Sequence, residues 1–134
     1  MKEFNGLAFS VGSMPHSTAE EACRKLVDLF VDCPAWPQLP NRSFFENMYV
    51  QYSEGLPCRV IDEGSKKIYF DTEKDFFGQL ERFYTKFLEG DLGAFGISPS
   101  YSAGLDELLK LLGKKQIKPA FAKGQVVGPV SFGL

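Results

Sequence analysis

Three prolines at every third position, Pro34, Pro37 and Pro40, constrain this chain more than any other feature. Proline has no N–H and fixes its own φ. The tract Ala35-Trp36-Pro37-Gln38-Leu39-Pro40 is therefore excluded from helix and from the interior of a regular central strand. It reads as a short strand, about Ala35 to Gln38, running straight into a shaped loop.

The elements on either side are easier to read. Leu7 to Val11 is a short apolar run between Gly6 and Gly12 and is expected to be a buried strand. Ser17-Thr18-Ala19-Glu20 fits a capping box, with Ser17 as the cap and Glu20 reaching back. Ala19, Ala22, Cys23, Leu26, Val27 and Phe30 then recur at helical spacing as far as Pro34. Phe44 to Gln51 reads as a short helix capped by Asn41 or Ser43, with Glu46 and Gln51 on its exposed face. Arg59 to Asp62 and Lys67 to Phe70 flank Glu63-Gly64-Ser65-Lys66 as a β-hairpin. Asp71 is expected to cap a helix whose Phe76, Phe77, Leu80, Phe83, Tyr84, Phe87 and Leu88 form one apolar stripe, stopped by Gly90. Leu105, Leu108, Leu109 and Leu112 mark another helix, from about Ala103 to Leu112, ended by Gly113. Ala120 to Val127 reads as a third strand, closed by Gly128-Pro129.

Strands separated by helices favour parallel β/α winding. The expected fold is a partial (β/α)8 barrel: about the first three β/α units, with an inserted β-hairpin, in one domain over residues 1–134. A closed barrel takes eight strands and roughly 250 residues. The stretch Gly124 to Leu134 reads as the middle of a fold, so the N-terminal portion of a larger α/β-barrel enzyme is expected. Open sheet edges and the Phe stripe, from a chain with 13 Phe, lead to an expected homo-oligomer.

Composition removes several function classes. The formal net charge is −2, which gives no broad field for nucleic acid or an anionic membrane. No apolar run approaches the roughly 20 residues of a membrane span. Met1 to Asn5 includes Lys2 and Glu3 with no long apolar segment behind them, unlike a secretory signal. Cys23, Cys33 and Cys58 are an odd, scattered set, which points to free thiols in a reducing, cytoplasmic setting rather than a disulfide framework or a zinc knuckle. No phosphate loop, GxGxxG, metal-ligand pair at helical spacing or identifiable Ser–His–Asp set is present.

Candidate site residues lie where strands end. Gly12-Ser13-Met14-Pro15-His16 falls between a strand and a helix N-terminus, where α/β folds place substrate contacts. Ser13 is suited to hydrogen-bond a substrate carboxylate, and His16, the only histidine, to act as acid, base or donor. The alternative is a tight turn shaped by Gly12 and Pro15. Trp36 offers a rigid wall and Gln38 an orienting amide; Gln38 is the more informative, as a polar side chain between two prolines. Gly128 would let backbone approach a ligand closely.

In order, Val11-Gly12-Ser13-Met14-Pro15-His16, Trp36-Pro37-Gln38-Leu39-Pro40 and Lys123-Gly124-Gln125-Val126-Val127-Gly128-Pro129-Val130-Ser131-Phe132 resemble the front of the C-terminal barrel of cobalamin-independent methionine synthases. That family shares a superfamily with uroporphyrinogen decarboxylase. The resemblance implies a (β/α)8 barrel and methyl transfer to a thiol such as homocysteine, with a zinc-held thiolate as nucleophile. It places Gly12 and Ser13 against the amino-acid part of a small thiol substrate. His16 departs from the family's usual residue. The family's zinc ligands, a His-x-Cys pair and a later Cys, have no match here, so zinc is implied only for a full-length enzyme and no cofactor is assigned to this chain. Three readings stay open: a fragment of such a methyltransferase, inactive alone; a self-contained small-molecule-binding module; and a decarboxylase-like relative, which lacks the expected arginine-rich loop.

Overall fold

The computed structural model describes residues 6–114 and 116–133. Met1 to Asn5, read above as unlike a signal, Lys115 and Leu134 lie outside the described residues. In chain order the elements are α1 (Ala19–Leu29), a 3-10 turn (Phe44–Glu46), α2 (Met48–Gln51), β1 (Arg59–Asp62), β2 (Lys67–Phe70), α3 (Phe76–Leu88), a second 3-10 turn (Leu92–Phe95), α4 (Ala103–Gly113) and α5 (Pro129–Gly133).

The core is built on the proline tract. Residues 33–39 are all buried, and both hydrophobic clusters include a residue of the tract. Leu39 packs with Ala19 and Ala22 of α1, and Met14 and Ala103 close over them. Trp36 packs with Cys23 of α1 and Leu108 of α4; Val27, Tyr52, Leu105 and Ile117 lie around that group. Helices α1 and α4 thus face each other across an extended segment, with α4 very close to it. A Cβ on Gly104 would lie 2.0 Å from the Pro37 carbonyl oxygen.

The expected partial barrel of three parallel β/α units is overturned. The only strands among the described residues are β1 and β2, an antiparallel pair in the register Arg59 to Phe70 and Asp62 to Lys67. The segments read as parallel strands touch at two single parallel bridges, Ser13 with Gln38 and Ala35 with Lys123. The physical reason lies in the tract. The carbonyls of Asp32 and Pro34 accept from Phe121 and Lys123, whereas the Gln38 carbonyl accepts from Met14. In a regular strand, residues separated by an even number point their carbonyls the same way. Here Pro34 and Gln38 bond opposite neighbours, so the chain turns over between them, where Pro37 sits. Pro40, two residues on, has no N–H to extend the pairing. The oligomer expected from open parallel edges loses that basis. The last segment ends in α5 rather than in an open strand.

Two helix starts also differ from expectation. Helix α1 is preceded by extended Thr18, with no side-chain cap. The one-residue shift takes Glu20 out of the position from which a capping box closes. Helix α3 begins after Asp75, held at φ 45°. Asp71 instead accepts from the Glu73 N–H at 3.1 Å, and the Asp75 carboxylate pairs with Arg82 at 2.8 Å. The hairpin and α4 lie where the sequence places them. The Phe44–Gln51 helix splits in two, with Ser43 capping the 3-10 turn and Asn47 capping α2. No residue of α3 is buried; Phe77 and Leu88 are 82% and 81% exposed.

The Gly104 contact generates a sharp comparison. Gly104→Ala is expected to destabilise by about 1–3 kcal/mol in urea unfolding, because overpacking forces α4 off the tract. Gly113→Ala, at the end of the same helix with open space around its Cβ, is expected to be neutral or slightly stabilising. Equal effects at the two sites would contradict this packing.

Candidate functional site

The three sequence blocks singled out above meet at one hydrogen-bonded junction. Gln38 stands at its centre, 1% exposed. Its backbone N–H donates to the Gly12 carbonyl and its own carbonyl accepts from Met14, both at 2.9 Å. Its side-chain Nε2 donates to Gln51 Oε1 at 2.6 Å, and its Oε1 accepts from Gln125 Nε2. Gln51 passes the chain on by donating to the Tyr101 carbonyl. Gln125 accepts at Oε1 from Lys123 Nζ at 3.4 Å, and its carbonyl accepts from the Tyr52 hydroxyl. Burial pushes the Tyr52 phenol above its ordinary value, so it is suited to donate. A line of side-chain amides thus runs from Lys123 to the Tyr101 carbonyl, with both ends of the buried Gln38 amide paired.

Gly12 belongs here for two reasons. Its φ is 112°, a region that side chains rarely adopt. A Cβ on it would lie 2.3 Å from Gln125 Nε2. Ser13 is exposed at the rim and fixes the register with Gln38.

The other candidates fall elsewhere. Trp36 is 5% exposed and packs in the core, so its ring is no pocket wall. His16 is half-buried, and its Nδ1 is buried with no hydrogen-bond partner among the described residues. It lines a cleft with Glu20, Glu21, Arg24, Lys25 and Asp28 of α1, to which no junction residue contributes. Gly128 is exposed, with nothing within 4 Å of its Cβ position and no left-handed φ. Its carbonyl accepts from the Phe132 N–H at 3.0 Å, at the start of α5.

Four polar residues outside the candidate set matter more. Glu46 and Gln51, expected on an exposed face, are 1% and 0% exposed. Glu46 accepts from the Leu39 N–H at 2.9 Å and from Arg42 at 2.6 Å. It therefore ties the end of the proline tract to the turn that follows it, and the Ala103 N–H at the start of α4 lies near enough to lower its carboxyl. Gln125 and Lys123 interrupt an apolar stretch, and that interruption was the available signal.

The zinc implied by resemblance does not fit the described residues. Among them, no three His, Cys, Asp or Glu side chains group so as to hold a metal ion. All three cysteines are buried. Burial, reinforced by Glu107, pushes the Cys23 thiol up to about 11, away from the thiolate that a metal binds. What the junction does offer is hydrogen bonding and one ammonium group. Compared with protein-family models, curated proteins and solved structures, the chain shows no match.

Glu46 gives the site a pH signature. Burial raises its carboxyl above the ordinary 4.5 and outweighs its bonds to Leu39, Arg42 and Ala103, which lower it. The native state therefore holds this proton more tightly than the unfolded chain. The stability so gained is fully present below the unfolded value and is lost as pH rises through the native one. Glu46→Gln, neutral throughout, is expected to remove that part of the pH dependence. Urea titrations of both proteins between about pH 4 and 7 check it: the wild-type advantage over the variant should shrink as pH rises, and a gap that widens would contradict the assignment.

Proposed function

We propose that this chain binds the amino-acid portion of a small thiol substrate, as the binding part of a methionine-synthase-like methyltransferase, with Ser13 at the contact and Gly12 and Gln38 holding it in place. One observation supports this reading above the rest. Three blocks, brought forward by their resemblance to that family and spread from residue 11 to residue 132, converge on one amide junction. Ligand sites are built in this way, from a few convergent polar groups on a rigid apolar frame. The reading takes over the binding role and not the barrel. It assigns no methyl-transfer step to the described residues, so the chain alone is proposed to bind without turnover. Three buried free thiols support a reducing, cytoplasmic setting. No helix among the described residues is long and apolar enough to cross a membrane.

Thermal unfolding with ligands tests the reading. Homocysteine and methionine, at about 100 times their Kd, are expected to stabilise by about 2.7 kcal/mol and raise the midpoint by several degrees. Acetate and succinate at equal concentration are expected to do far less. Equal shifts with all four compounds, or none with any, would remove the proposal.

Association of copies is proposed from the α3 face, where Phe77, Tyr84, Phe87 and Leu88 are exposed and no buried contact covers them. Sedimentation is expected to give a mass that rises with concentration. A clean monomer at high concentration would refute it.

A further inference from the structure

Among the described residues at the junction, Lys123 is the one whose charge the surrounding groups leave unbalanced. Its Nζ donates to the Ser10 carbonyl at 2.8 Å, and more weakly to the Val11 carbonyl and Gln125 Oε1, both at 3.4 Å. It also stands 5.2 Å from the centre of the Phe9 ring. Every one of these partners is neutral. They solvate an ammonium but do not neutralise it, and a ring face does the same. None of the ion pairs formed among the described residues includes Lys123.

The position is held from several sides. The Lys123 backbone donates to the Pro34 carbonyl at 2.9 Å, so the start of its side chain is pinned to the buried tract. Its tip is held over the segment that leads into Gly12 and Ser13. Only one of its three hydrogen bonds is short, so a ligand carboxylate would have to displace one of the two acceptors at 3.4 Å. Ser13 is exposed nearby along the same segment, and Gln125 links the ammonium to Gln38. A half-buried cation with neutral partners, on a rigid backbone, is complementary to a single carboxylate.

We propose that Lys123 is the anchor for the carboxylate of the ligand, making the site one for small α-amino acids or their close carboxylate analogues. The inference rests on the binding role proposed above and specifies which group of the ligand is held. The carboxylate takes a charge-assisted hydrogen bond from Nζ, while the remainder of the ligand extends past Ser13 over the amide junction.

The test is calorimetric titration with four probes. They are methionine, norleucine without sulfur, 4-(methylthio)butanoate without the amine, and 3-(methylthio)propylamine without the carboxylate. Wild-type protein is expected to bind the first and third and to lose the amine. Lys123→Met is expected to weaken every carboxylate probe that the wild type binds about 10- to 100-fold, and Lys123→Arg to restore part of the loss. Because Lys123→Met removes a bond to Ser10 as well as a charge, a second measurement uses the unaltered protein. Acylation of Lys123, followed by mass spectrometry, should slow in the presence of methionine and not of 3-(methylthio)propylamine. If Lys123→Met binds methionine as tightly as wild type, or methionine leaves Lys123 acylation unchanged, the anchor is refuted while the binding role stands. If norleucine equals methionine and both depend on Lys123, the anchor stands and any preference for a sulfur-containing side chain falls. A wild-type chain that binds no carboxylate refutes the anchor.

Discussion

The pairing of one buried amide, Gln38, is the interaction on which the rest of this structure depends. Its backbone and side chain together make four hydrogen bonds that reach Gly12, Met14, Gln51 and Gln125. An unpaired polar group at that depth would cost about 1–3 kcal/mol. The segments around residues 12, 51 and 125 therefore have to arrive together or leave a buried atom without a partner. An apolar residue at 38 would relax that demand, and with it the relative placement of the three segments.

The packing around the tract follows from the same constraint. A segment rich in proline cannot offer a full ladder of N–H groups, so it is covered by helices rather than by strands. Side chains at Ala22 and Leu26 of α1 and Leu108 of α4 are buried over it, and Gly104 allows α4 to sit against the Pro37 carbonyl. Trp36 fills the space between the helices, and loss of such an indole from a core costs about 3–5 kcal/mol. Glu46 then holds the end of the tract by accepting from the Leu39 N–H.

Much of the local structure was legible because local rules decide it. The hairpin follows from two apolar runs around Glu63-Gly64-Ser65-Lys66, and α4 from its leucine spacing. Helix α3 was legible in its stripe but not in its partner, because the apolar face that suggests a buried helix is exposed here. The strands were misread for a specific reason. Leu7 to Val11 and Ala120 to Val127 have the composition of buried strands, but pairing depends on what the middle segment presents, and it turns over near Pro37. Of the candidate site, Gly12, Ser13 and Gln38 were legible from the loop and from an amide set between prolines. Glu46 and Gln51 were not, since nothing in the spacing of residues 44–51 distinguishes a face turned to water from one turned to Leu39 and Gln38.

The bond between Gln125 and Gln38 joins residues 87 positions apart, whereas Gln38 and Gln51 are only 13 apart. That difference sets an order of events on the ribosome. The first two glutamines emerge within seconds of each other at ordinary synthesis speeds of about 5–20 residues per second. The third follows several seconds later, and a contact this distant in sequence must also overcome the entropy of closing a long loop. Until then the oxygen of Gln38 has water in place of Gln125. The junction therefore closes only when Gln125 is available to take the place of that water.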